Sequence, residues 1–89
     1  MDIVGRHLPI DFWQGHPESE SALRGLLTIV AAADWRGADD IGRHLGNAAT
    51  LKEEGRVTVS DPDGQFQLDL RVSYDRQLVH IISIHRGDA

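Results

Sequence analysis

The side chains best suited to chemistry lie from Lys52 onward in this 89-residue chain. His85 carries an imidazole, the one side chain whose ordinary titration range spans neutral pH, so it can take or give a proton. Arg71 carries a planar guanidinium fork that fits phosphate or carboxylate oxygens. Arg56, Arg86 and Lys52 add further cations, and Gln67 adds an amide. The chemistry this set allows is proton transfer beside a bound anion. Each residue also has a plainer reading. His85 can be a solvated or capped residue near a strand end, and Arg71 an ordinary solvated ion-pair partner of Asp69 or a neighbouring acid. Arg56, Arg86 and Lys52 can be surface charges.

Other constellations are weaker. His80 and His85 stand five apart on one strand, which predicts opposite faces and no simple zinc pair. His7, His16 and His44 have no ligand spacing. Asp61, Asp63 and Gly64 read as a turn, since the other ligands of a calcium loop are missing. Trp13 and Trp35 read as core aromatics. No metal or cofactor is expected.

The elements that must position these residues follow from periodicity. Phe66 to Tyr74 alternates strictly between apolar and polar, the pattern of a half-buried strand. Leu78 to His85 is a second run, and the two read as a β-hairpin. Arg56 to Ser60 alternates as well, and Asp61-Pro62-Asp63-Gly64 is a strong turn signal. Strands at 56–60, 65–74 and 78–85 therefore form a meander. Upstream, Leu23, Leu26, Leu27 and Val30 mark one helix face over about residues 17–33. Ala38 to Leu45 is a second, short helix, and Gly46 is its natural C-terminal cap. Residues 9–14 read as a short helix or turn, residues 2–8 as a weak first strand, and residues 47–55 as a polar connection. The fold class is α+β, with two helices packed on one face of a small antiparallel sheet.

A two-residue hairpin loop would flip the last strand and put His85 beside Phe66, and a three-residue loop, Asp75 to Gln77, is preferred because it buries more aliphatic surface opposite the helices. That register sets Tyr74 opposite Leu78, Arg71 opposite Ile81, Asp69 opposite Ser83, Leu68 opposite Ile84 and Gln67 opposite His85. It places Phe66, Leu68, Leu70, Val72, Ile82 and Ile84 on the buried face. Gln67, Asp69, Arg71 and His85 share the open one.

Size and composition bound the rest. The length suits one domain spanning residues 1–89. The chain has no cysteine, so no disulfide or thiolate-metal scaffold holds it. The apolar run Leu26 to Ala33 is far too short to span a bilayer, and no basic-then-apolar leader opens the chain. A cytoplasmic protein with no membrane partner is the expectation. Formal net charge is −5, spread over both halves. Global charge thus argues against tight, sequence-independent nucleic-acid binding, although folding can still gather arginines locally.

The landmarks stand in a definite order. Phe12 is followed by His16-Pro17, the amphipathic helix, Ala33-Asp34-Trp35, a short Asp-containing helix and Gly55-Arg56-Val57. Then come Gly64, Phe66-Gln67-Leu68, the block Tyr74-Asp75-Arg76-Gln77-Leu78-Val79, and an isoleucine-rich strand ending in His85. This order resembles the HigB-type toxins of bacterial toxin–antitoxin systems, within the RelE-like ribonuclease superfamily, over roughly residues 10–86. The resemblance implies a small domain with a concave sheet face that cleaves mRNA, generally on the translating ribosome, and inhibits translation. It implies an antitoxin partner of helix-turn-helix type and is compatible with a higher-order toxin–antitoxin complex. His85 matches the family's histidine and takes the catalytic role, and Arg71 is set beside it as a catalytic residue for its guanidinium on the same face rather than by a family match. Arg56, Arg86, Lys52 and Gln67 take RNA and phosphate contacts.

The chain departs from the family pattern at three places. Gln67 stands where the family carries arginine, no tyrosine follows His85, and Asp61-Pro62-Asp63-Gly64 replaces an asparagine-rich turn. These departures keep a second reading open, a catalytically degenerate relative that serves as a protein-binding module. A third is an unrelated α+β interaction domain, in which Gln67, Arg71 and His85 share no surface.

Overall fold

A computed structural model describes residues 1–87. The elements run β1 (Asp2–Val4), α1 (His7–Gly15), α2 (Glu20–Ala32), α3 (Ala38–Leu45), β2 (Ala49–Leu51), β3 (Arg56–Ser60), β4 (Gln67–Ser73) and β5 (Leu78–His85). The strands form one five-stranded sheet in the order β1-β5-β4-β3-β2. The α+β class expected from the sequence holds, with the C-terminal meander in place.

Several elements differ in extent. The weak first strand is three residues long and pairs with β5 in parallel, so the sheet is mixed rather than antiparallel. The segment read as a short helix or turn is the full helix α1. Pro9 sits in its first turn, where no intrahelical N–H is required, and Pro9 and Trp13 bury one face at i, i+4 spacing. The helix read from residue 17 begins as a 3₁₀ turn at Pro17–Ser19 before α2 proper. The polar connection holds the edge strand β2, whose three residues pair with β3. A short edge strand limits exposed backbone donors and acceptors.

The core lies between the helices and one sheet face. Leu23, Leu26, Leu27 and Val30 of α2 and Ile41 of α3 meet Val57, Val59, Leu68, Leu70, Val72, Val79 and Ile81 of the sheet. Burying an aliphatic side chain of this size contributes about 1.5–3 kcal/mol. Trp13 and Trp35 belong to the core, as their sequence context suggested. The Trp35 indole N–H donates to His44 Nδ1 at 3.1 Å, which satisfies the one polar atom of a buried ring.

The β4–β5 register departs from the sequence expectation in one half only. The loop has four residues, Tyr74 to Gln77, so Ser73 rather than Tyr74 faces Leu78, and Arg71 faces His80 rather than Ile81. A bulge then inserts Ile82 opposite the Asp69–Leu70 step. Beyond it the expected pairs hold, with Asp69 facing Ser83, Leu68 facing Ile84 and Gln67 facing His85. Ile82 is 42% exposed, and Val79 and Ile81 take the buried positions at 0% and 2%. The physical reason is a change of phase in β5. Val79 and Ile81 are two apart, but Ile84 follows at three, and one extra residue lets all of them face the helices.

Candidate nucleic-acid interface

The bulge decides which chemistry shares the open face. His80 and His85 are an odd number apart, yet both lie on that face, because their β4 partners Arg71 and Gln67 do. The expectation that they face opposite sides is therefore corrected. They do not form a close pair, since their partners are four strand residues, or about 13 Å, apart.

Three cross-strand rows result. At the loop-proximal end of the hairpin, Arg56 faces Arg71, and Arg71 faces His80. Lys52 extends this row, because its backbone N–H donates to the Arg56 carbonyl at 2.8 Å, one step past the Leu51–Val57 pair. In the middle, Thr58, Asp69 and Ser83 stand side by side. At the far end, Ser60, Gln67 and His85 form the third row. Arg86 follows β5 and is exposed beyond it.

Local chain geometry delivers the first row. After Lys52 the chain turns through left-handed backbone at Glu54 (φ 58°) and Gly55 (φ 75°). A Cβ on Gly55 would lie 2.5 Å from the Val72 carbonyl oxygen, so only glycine allows this approach to β4. Lys52, Glu53, Glu54 and Arg56 line a shallow cavity of about 470 Å³. Glu54 is the nearest counter-charge to the row, with its carboxylate 3.9 Å from the Arg71 guanidinium. Both side chains are more than half exposed, and a pair of that kind contributes little. Like charges placed directly across strands repel, so the Arg56–Arg71 pair favours an anion between or above the guanidinium groups.

The middle row is a closed hydrogen-bond unit. The Thr58 hydroxyl donates to Asp69 Oδ1 at 2.8 Å and the Ser83 hydroxyl to Oδ2 at 2.9 Å. Partial burial works to raise the Asp69 carboxyl pKa. The two hydroxyl donors outweigh it, with the charges of His85 and Lys52 acting in the same sense, and the net direction is below the ordinary carboxylate value. Asp69 is thus a fixed anion between the cation row and His85.

The structure therefore brings Lys52, Arg56 and Arg71 together, and sets Gln67 beside His85 at the other end. Sequence reasoning missed His80 as a member of the open face, Glu54 as the counter-charge and the Thr58–Asp69–Ser83 unit. The spacing of Val79, Ile81 and Ile84 was the signal that would have placed His80. A larger cavity of about 710 Å³ lies between α1 and α2, floored by Trp13 and Leu27. There Arg24 covers the Trp13 ring at 4.8 Å and is held by Glu20 at 2.7 Å. No histidine lines it, so it lacks the proton-transfer group present on the open sheet face. Among the described residues, no group of three His, Asp or Glu side chains is placed to hold a metal ion. No helix there is long and apolar enough to cross a membrane. No known family model matches the chain, and no curated protein matches it as a relative.

Proposed function

We propose that this protein is the cytoplasmic toxin of a type II toxin–antitoxin pair, an endoribonuclease that cleaves mRNA on the ribosome and stops translation. Its RelE-like, HigB-type character rests on the order of sequence landmarks. The observation that carries the activity is the open sheet face, where Lys52, Arg56 and Arg71 form one cationic row and His85 stands exposed on the same side. RNA supplies its own nucleophile. The 2′-hydroxyl loses its proton and attacks the adjacent phosphorus. The P–O5′ bond breaks, leaving a 2′,3′-cyclic phosphate and a 5′-hydroxyl once the departing oxygen is protonated. The protein supplies a proton-transfer group, here His85, with Arg86 as the neighbouring cation for the charge that grows on phosphate, while Arg71, Arg56 and Lys52, about 13 Å along the strand, hold the RNA backbone. Gln67, beside His85, and Arg86, just past it, contact the RNA. A helix-turn-helix antitoxin silences the protein.

Expression without a partner tests this reading. Growth arrest with shortened mRNA is expected, and His85→Ala should abolish both. Undiminished toxicity of His85→Ala removes the role given to that residue.

One observation favours a second reading. Asp69, held ionised, lies between His85 and Arg71, and Gln67 puts an amide rather than a cation beside His85. A binding module of the same fold accommodates that arrangement without catalysis. It predicts capture of a protein partner and no RNA cleavage by the pure chain.

A further inference from the structure

We infer that His80 is the fourth phosphate contact of a site built from Lys52, Arg56 and Arg71, and that an RNA strand crosses the sheet along this row. The inference rests on the nuclease reading for its ligand, but on the register for its geometry. His80 is exposed and directly faces Arg71, which directly faces Arg56, while Lys52 bonds backbone to backbone with Arg56. Four neighbouring strands give a row about 14 Å long at the usual interstrand spacing, enough for more than one phosphate of an extended backbone.

The surroundings leave His80 open to a ligand. On its other side it faces Val4 of β1, an uncharged neighbour that is 43% exposed. Asp2 of β1 lies across from Leu78, two residues along β5, and the Glu54 carboxylate stands 3.9 Å from the Arg71 guanidinium. The next row toward the end of the hairpin is the Asp69 unit, whose charge repels phosphate. That carboxylate therefore disfavours a phosphate at the middle row and leaves the cation row as the backbone contact of this half of the hairpin. An imidazole N–H donates to a phosphate oxygen, and its charged form adds Coulomb attraction.

A charge series at position 80 tests the site without relying on catalysis. The probe is a short fluorescent RNA with 2′-O-methyl groups, which has no free 2′ nucleophile. His80→Lys is expected to tighten binding about threefold and to steepen the salt dependence by up to about 0.7, the increment for one single-strand phosphate contact made by a permanent cation. His80→Glu is expected to weaken binding about tenfold. Ala22→Lys and Ala22→Glu make the same changes of net charge from an exposed site on α2, and should move affinity less than about twofold.

Equal shifts at positions 80 and 22 overturn the inference, because overall charge alone would explain them. An inert His80 series together with lost binding in Arg71→Gln also overturns it, and leaves the arginine site and the nuclease reading standing. Failure of the parent protein to bind the probe overturns the row, and cleavage of ribosome-bound mRNA by the same protein then decides the nuclease reading separately. Binding that follows the His80 series while ribosome-bound mRNA stays intact supports the row and counts against the nuclease reading alone.

Discussion

The two halves of the β4–β5 hairpin use one sheet face differently. The loop-proximal half sets Arg71 beside His80 and gathers Arg56 from β3 and Lys52 from just past β2. The terminal half sets Gln67 beside His85 and gathers neutral polar groups. The Asp69 unit separates them. What joins the halves is a single inserted residue, Ile82, and the lesson is about parity. In a strand, one extra residue reverses the facing of everything beyond it. Without the bulge, the two histidines could not share a face.

The adjacent isoleucines give the strongest way to break this comparison. Ile81 is 2% exposed and Ile82 is 42% exposed. Ile81→Ala should cost about 3 kcal/mol, the usual loss for a core aliphatic truncated to Ala. For a domain of this size that lowers Tm by roughly 12–24 °C. Ile82→Ala should cost less than about 1 kcal/mol. Equal losses in thermal or urea unfolding would mean that the chain has no extra residue at Ile82, and the open face would have to be redrawn.

Gly55 controls how the loop-proximal half is assembled. Alanine there must hold a left-handed conformation at φ 75° and place its Cβ 2.5 Å from the Val72 carbonyl oxygen. The conformational cost alone is about 1–2 kcal/mol, and the turn must shift to relieve the clash. Gly55→Ala is therefore expected to lower stability by about 2 kcal/mol and to weaken RNA binding, because Lys52 and Arg56 flank that turn. Full RNA affinity in a destabilised Gly55→Ala protein would show that the turn supports the fold but not the cation row.

Much of this arrangement was legible in the residues. Strict alternation from Phe66 to Tyr74 announces β4, and the Leu23, Leu26, Leu27 and Val30 stripe announces α2. The Gln67–His85 pair was readable because it lies beyond the bulge, where a longer loop and an inserted residue cancel. Arg71 was mispaired because it lies before the bulge, where only the loop length counts. The helix α1 was obscured by Pro9, which looks like a breaker but is harmless in a first turn. The strand β2 was obscured because three residues give too little alternation to detect. The cation row needed both missing pieces, since β2 leads directly into Lys52 and the phase change brings His80.

The middle row offers a smaller effect with a distinctive pH signature. The folded-state pKa of Asp69 lies below its ordinary value. Its contribution to stability is therefore present above the unfolded carboxylate value, near about pH 4, and is lost as pH falls through the lower folded value. Asp69→Asn should cost at most about 1 kcal/mol at neutral pH, because water partly screens the carboxylate. Urea midpoints measured from about pH 6 down to pH 2.5 should show the gap between the two proteins closing in acid. A gap that stays constant would mean that the Thr58 and Ser83 hydroxyls bond the side chain without favouring its ionised form.

The smallest expected effect separates the two halves by their counter-charges. Glu54 reaches Arg71 at 3.9 Å with both side chains largely in water, so the pair contributes no more than about 0.5 kcal/mol to stability. Glu54→Gln should accordingly leave Tm within about 4 °C of the parent. Its consequence lies in competition, because a carboxylate beside Arg71 opposes an incoming phosphate. Removing that charge should tighten RNA binding about twofold to threefold at low salt and leave it unchanged at high salt, where screening already masks the carboxylate. The same exchange at Asp63, in the turn before β4, should have no such effect. If the two variants bind alike, Glu54 does not shield the cation row, and both halves of the face are equally open to an anion.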